Sequence, residues 1–143
     1  MLNRAIEIAI EAFKDKKDKF GNPYLMHLMN VMNKGRSENE KIAGILHDLV
    51  EDIPGWSFER LSAEGFSDEV IEALRCVTKL SEEEDYDLFI ERVKTNALAI
   101  KVKIADLEDN LDVRRIPELN DKDLKRLNKY LKAYRDLKKH LEK

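Results

Sequence analysis

The stretch Ala97-Leu98-Ala99-Ile100-Lys101-Val102-Lys103-Ile104 decides the fold. From Ile100 onward, apolar and charged residues nearly alternate, which is the local pattern of a strand. The residues that follow, Ala105 to Val113, contain no glycine or proline to break the chain. A lone strand would also have no obvious partner in this sequence, and isolated strands are not stable. The whole segment therefore reads as helix, and the chain as all-α.

Outward from this segment, helical spacing recurs. Five glycines and three prolines are spread over 143 residues, and no repeat or low-complexity tract interrupts them. A first helix is expected over about 2–16, with Ile6, Ala9, Ile10 and Phe13 facing inward. A basic loop (Lys16, Lys17, Lys19) and the turn Gly21-Asn22-Pro23 follow. A second helix starts at the proline and ends at Gly35, with Met26, Met29 and Met32 as adaptable core. Ser37-Glu38-Asn39-Glu40 has the form of a capping box and opens a helix through Val50. Ser57 and Ser67 cap two more, the second reaching about Thr78, and another covers about 84–95. The last, about 121–142, carries Leu124, Leu127, Leu131, Tyr134, Leu137 and Leu141 on a narrow stripe, for the core or for a homodimer. The expectation is one domain, 1–143, built as a bundle of about seven or eight helices.

Composition sets the class. Apolar residues make up 43% and charged residues 38%, with a net charge of −3. Near-neutral bulk charge argues against a nucleic-acid partner. No apolar run approaches the roughly 18 residues that span a bilayer, and no secretory signal is visible, so a cytoplasmic protein without a membrane partner is expected. The single Cys76 excludes an internal disulfide and, flanked by apolar residues, reads as a structural thiol.

Two segments carry chemistry. Plotted as a helix, 97–115 shows Asp106, Asn110, Lys103 and Arg114 in a polar stripe between two apolar edges. Such a stripe suits a cleft wall. A buried carboxylate needs a cation, which is either a lysine such as Lys103 or a metal ion. The second segment is Ile42-Ala43-Gly44-Ile45-Leu46-His47-Asp48-Leu49-Val50-Glu51-Asp52. Its wet face gathers Asp48, Glu51 and Asp52 with no lysine or arginine among them. Like charges at this spacing repel, and an added cation would relieve them. His47 and Asp48 point about 100° apart and can converge on an ion above the helix. Glu51, one turn on, is placed for acid–base work, and the small Ala43 and Gly44 leave room for a ligand. A plain amphipathic helix with a wet face is the alternative.

Together these residues resemble the HD-domain metal-dependent phosphohydrolases, and within them the (p)ppGpp hydrolase domain of RelA/SpoT-type proteins and its small stand-alone relatives. The match runs over about 5–115. It rests on Gly21-Asn22-Pro23-Tyr24-Leu25-Met26-His27, Leu46-His47-Asp48-Leu49-Val50-Glu51-Asp52, Val77-Thr78-Lys79-Leu80 and Lys103-Ile104-Ala105-Asp106-Leu107-Glu108-Asp109-Asn110. The resemblance implies one divalent ion, usually Mn²⁺ (with Fe²⁺, Co²⁺ or Zn²⁺ as alternatives), held by His27, His47, Asp48 and Asp106. It implies that Glu51 and Asp52 handle the attacking water and that Asn110 positions the substrate. Tyr24 is expected beside the substrate too, and Lys16, Lys17, Lys103 and Arg114 against its phosphates.

The sequence departs from the family at three places: Leu28 follows His27 where a proline is usual, Leu107 stands for a common arginine, and Lys16 and Lys17 stand where an arginine often stacks on guanine. Lysine neither stacks nor forks as arginine does, so these changes bear on which nucleotide is read. The implied activity is removal of the 3′-pyrophosphate from (p)ppGpp. The alternatives are a phosphatase for another nucleotide, such as a deoxynucleoside monophosphate, and a catalytically weak nucleotide-binding module.

Overall fold

The structure, a computed structural model, describes residues 1–142. Its helices are α1 (Leu2–Phe13), α2 (Tyr24–Lys34), α3 (Glu38–Leu46), α4 (Leu49–Asp52), α5 (Phe58–Ala63), α6 (Asp68–Val77), α7 (Tyr86–Val93), α8 (Ala97–Asn110) and α9 (Asp121–Leu141), with a 3₁₀ turn at Val113–Arg115. The one-turn α4 continues the course of α3. Among the described residues the only β-type pairing is a bridge between Lys17 and Pro23, and the fold is all-α.

The segment that looked like a strand is α8, opened by the Asn96 side chain, which accepts from the Ala99 amide at 2.9 Å. It packs against α2, α3, α6, α7 and α9. Leu98, Ala99, Ile100, Val102, Ile104, Ala105 and Leu107 are all buried, and the exposed positions Ala97, Lys101 and Glu108 share one narrow side. A helix covered over most of its circumference has a broad apolar surface in place of a narrow stripe, and the local alternation is a by-product of that.

Serines 57 and 67, Asp85 and Asn120 cap their helices as their residue types dictate. At α3 the capping box is only half formed. Ser37 accepts from the Glu40 amide at 3.1 Å, while the Glu40 carboxylate takes the Arg36 amide at 2.7 Å. The first helix ends three residues early. Asp18 pulls the chain into a turn by accepting from the amides of Phe20 and Asn22, both at 2.9 Å, and Gly21 supplies the positive φ of +86°. The inward face of α1 is Ala5, Ile8, Ala9 and Phe13, so Ile10 is exposed. Met26 and Met29 are exposed as well, and only Met32 packs on the core. The leucine stripe of α9 is divided: Leu137 is fully buried, while Leu124, Leu131 and Leu141 face outward. Among the described residues, no helix is long and apolar enough to cross a membrane.

The helix read as continuous from Ser37 to Val50 breaks at His47-Asp48, where Asp48 has φ −102° and ψ 0°. The break turns both side chains inward, toward α2 and α8. Gly44 serves packing. A Cβ there would lie 3.3 Å from the Met32 backbone, so glycine lets α3 and α2 approach closely. It does not open a ligand space, as its position on the polar face had suggested.

Candidate metal centre

His27 comes from α2, His47 and Asp48 from the α3–α4 break, and Asp106 from α8. His27 Nε2 lies 3.0 Å from Asp106 Oδ1 and 3.9 Å from Asp48 Oδ2. His47 Nε2 lies 3.2 Å from Asp48 Oδ2 and 3.3 Å from Asp106 Oδ1. Ligand atoms of His27, His47 and Asp48 all lie within 4.8 Å of one another. The four residues predicted as a set thus meet at one point. His27, His47 and Asp106 are buried and Asp48 nearly so.

The far side of each imidazole is pinned. His27 Nδ1 is 2.6 Å from Asp109 Oδ2, and His47 Nδ1 is 2.7 Å from the Gly44 carbonyl. Both partners are acceptors, so each Nδ1 carries the proton. In the neutral rings both Nε2 lone pairs then face carboxylate oxygens, an arrangement that needs either protons or a cation between them. Without an ion, protons fill that place. Burial works against charge on His27, but hydrogen bonds to Asp106 and Asp109 carry its pKa up to about 9. His47 is likewise opposed by burial and raised well above the usual range by Asp48 and Asp106. Burial opposes charge on Asp106 too, yet Lys103 and His47 hold it far below the carboxylate range. Two imidazoles and two carboxylates fit a borderline divalent ion such as Mn²⁺, Fe²⁺, Co²⁺ or Zn²⁺.

The choice between a lysine and an ion for Asp106 dissolves at atomic detail. Lys103 Nζ holds Oδ2 at 2.8 Å, while Oδ1 faces the histidines and accepts from Asn110 at 3.0 Å. Lys103 is therefore paired with the carboxylate of a candidate ligand, where it had been expected against phosphate. Arg114 is a second correction. Its side chain is 88% exposed and forks onto Asp112, away from the centre. Its neighbour Arg115 turns inward and reaches Asp109 at 2.9 Å. The Tyr24 hydroxyl donates to Asp48 Oδ2, and its ring stacks on Phe13.

Two hollows flank the centre. One, about 370 Å³, is lined by Lys16, Lys17, Lys19, Phe20, Tyr24, His27, Asn110, Arg115, Arg126 and Tyr130, together with Asp18 and Asp112. Its cations outnumber its carboxylates. The other, about 1010 Å³, is bordered by Glu51, Asp52, Arg75, Thr78, Lys79 and Arg92 among others. Glu51 is exposed, and its carboxylate accepts from the Lys79 amide at 3.1 Å. Asp52 is half-buried, 3.8 Å from Lys16 Nζ; burial and the Asp48 charge push its pKa up to about 6.

Sequence reasoning missed Asp109, Arg115, Arg126 and Tyr130. Asp109 stood one turn after Asp106 and could have been found as a second polar position on that side of the helix. Arg126 and Tyr130, four apart on α9, carried no signal beyond that spacing.

A helical bundle that brings two histidines and two aspartates from three segments to one buried point has the arrangement expected of an HD-type domain. Sequence comparison agrees. The chain is 31% identical over 121 residues to the guanosine-3′,5′-bis(diphosphate) 3′-pyrophosphohydrolase of Aquifex aeolicus, covering 77% of this chain and 17% of that protein. It is also 31% identical over 127 residues to a probable GTP pyrophosphokinase of Mycobacterium leprae, covering 80% of this chain and 16% of that protein. The resemblance to RelA/SpoT-type proteins read from the sequence thus holds, although the chain spans only about a sixth of the length of the curated relatives it matches. No protein-family model matches the chain.

Proposed function

We propose that this chain is a metal-dependent phosphohydrolase that removes the 3′-pyrophosphate from (p)ppGpp, giving GDP or GTP and pyrophosphate. The observation that carries the reading is the convergence of His27 Nε2, His47 Nε2, Asp48 Oδ2 and Asp106 Oδ1, with both Nδ1 atoms held by acceptors. The name of the Aquifex relative supports the substrate, and the cationic hollow beside His27 supports a polyphosphorylated ligand.

In this reading His27, His47, Asp48 and Asp106 hold one divalent ion, Mn²⁺ for preference. Such an ion supplies Lewis acidity at a phosphoryl oxygen and a water of lowered pKa. Tyr24 fixes Asp48 and Lys103 fixes Asp106, so neither carboxylate swings when substrate enters. Asp52, with a pKa near that of a working base, takes a proton from water, and Glu51 beside it orients that water. Asn110 steers the ribose, while Lys16, Lys17, Arg115 and Arg126 offset phosphate charge.

The test is chelator-stripped protein given Mn²⁺ and ppGpp, scored for GDP and pyrophosphate, with metal analysis of the purified chain. Asp48→Ala and Asp106→Ala should lose metal and turnover together. Glu51→Ala should keep metal and lose most turnover. Full activity in metal-free Asp48→Ala would end the proposal. Release of orthophosphate from deoxynucleoside monophosphates, with ppGpp untouched, would favour the other phosphatase reading.

A further inference from the structure

Asp123 sits in the first turn of α9 and is only 4% exposed, and its two carboxylate oxygens do different work. Oδ2 accepts from the Asn120 amide at 3.1 Å and completes the helix cap. Oδ1 accepts from Lys19 Nζ and from Arg126 Nη2, both at 3.2 Å. Lys19 belongs to the basic loop before α2, and Arg126 to α9 itself. One buried oxygen thus gathers two cations from opposite parts of the chain. Pinning the loop to the helix needs only one of them. Two cations on a single carboxylate leave one positive charge in excess, which an anion would balance.

Both cations line the hollow of about 370 Å³ beside the candidate centre, whereas Asp123 does not. The carboxylate therefore holds them from outside the hollow. Arg126 is engaged through Nη2, and among the described residues its Nε and Nη1 make no hydrogen bond. The same hollow contains His27 and Asn110, and Tyr130 lines it one turn after Arg126. Its two acidic side chains are already occupied. Asp18 accepts from the amides of Phe20 and Asn22, and Asp112 is forked by Arg114. One hollow thus joins a candidate metal ligand to the cations that Asp123 holds.

We propose that Asp123 is a positioning residue for nucleotide binding: through Oδ1 it holds Lys19 and Arg126 against the phosphates that the nucleotide carries away from the metal. This rests on the phosphohydrolase reading above and deepens it. In that reading the 3′-pyrophosphate goes to the ion, and the 5′-phosphates of the same nucleotide meet the cations farther along the hollow. Arg126 offers them its unengaged N–H groups, and Lys19 its charge. The start of α9 is then a wall of the binding hollow, a role its leucine stripe did not announce.

Calorimetric titration of the Mn²⁺-loaded chain with GDP and with guanosine reads this without turnover. GDP carries the 5′-phosphates and guanosine lacks them. The wild type should bind GDP at least about tenfold more tightly than guanosine. Arg126→Met should weaken GDP about tenfold and leave guanosine unchanged. Asp123→Asn keeps an oxygen for the Asn120 amide but gives up the charge that holds the two cations. It also makes the surroundings of the hollow one charge more positive. Net charge alone therefore predicts tighter GDP binding, and positioning predicts binding weaker by about tenfold. None of these variants touches a candidate ligand, so any direct contact of GDP with the ion is common to all. Melting temperatures report whether each variant folds, and Asp123→Ser, with no buried amide, stands in should the asparagine variant not fold. Weaker GDP binding at both positions, with guanosine unchanged, supports the role even if ppGpp is not hydrolysed and the proposed function falls. Unchanged or tighter GDP binding in a folded Asp123 variant, or unchanged binding in Arg126→Met, overturns it even if ppGpp is hydrolysed normally.

Discussion

His27 Nδ1 and Asp109 Oδ2 lie 2.6 Å apart, both buried, and Asp109 is held in turn by Asn30 at 3.0 Å and Arg115 at 2.9 Å. This pairing sets which nitrogen of His27 carries the proton, and so which one faces Asp48 and Asp106. Partners of this kind are typically worth about 10–100-fold in metal affinity. Asp109→Ala is expected to weaken Mn²⁺ binding within that range while the four candidate ligands remain. Titration followed by the Mn²⁺ paramagnetic resonance signal measures it, and an unaltered dissociation constant would remove Asp109 from the centre.

The protons that replace an ion give a pH signature. His27 has a folded pKa of about 9 in the ion-free chain, above its ordinary value of 6.5. A raised basic group contributes stability that is fully present below its unfolded pKa and is lost as pH rises through the folded one. His47 shifts in the same direction. Chelator-treated protein should therefore lose stability between about pH 6.5 and 9. Mn²⁺ must displace these protons, so its stabilising effect should grow over the same range. Melting curves at several pH values, with chelator and with Mn²⁺, check both trends. A chelator series that rises toward pH 9 would contradict the paired-histidine arrangement.

The helices were legible in the sequence because their caps and breakers are local. Ser57, Ser67, Gly35 and Pro23 each act within a turn of their own position. The four meeting side chains were legible through motif resemblance, and their spacing alone left a wet helix face as an equal alternative. What stayed hidden depends on tertiary contact. The break at His47-Asp48 has no proline or glycine to announce it. Lys103 and Arg114 looked equivalent as cations of one polar stripe, and only the fold buries the first on Asp106 and leaves the second in solvent. Gly44 looked like ligand space because its neighbour, the Met32 backbone, lies twelve residues away in sequence.

Gly44 offers a packing test. In an isolated helix, Gly→Ala gains about 1 kcal/mol. Here the added methyl would press on the Met32 and Val31 backbone at 3.3 Å, and backbone cannot rotate away. Overpacking of this kind costs about 1–3 kcal/mol. Gly44→Ala should be net destabilising by up to about 2 kcal/mol and should disturb the carbonyl that holds His47 Nδ1. Urea unfolding measures the first effect and Mn²⁺ affinity the second. A stabilised variant would mean that α2 and α3 have room to spare.

Arg92 is the hub of the loop after α6. Its guanidinium donates to the carbonyls of Arg75 at 2.8 Å and Thr78 at 3.1 Å, and pairs with Glu84 at 2.8 Å. The carbonyls at the end of α6 would otherwise lack donors, and Glu84, whose side chain is only 11% exposed, would be left without its cation. Arg92→Ala is expected to cost about 2–4 kcal/mol, the range for losing hydrogen bonds to a charged group with one buried charge left behind. Arg92→Lys should recover less than half, since an ammonium cannot fork across these acceptors. The same loop presents the Lys79 amide to Glu51. The alanine variant should therefore lose turnover on ppGpp under conditions where it is still folded, with Mn²⁺ affinity unchanged. Equal loss of metal and turnover would show that Arg92 supports the bundle as a whole and not the Glu51 turn.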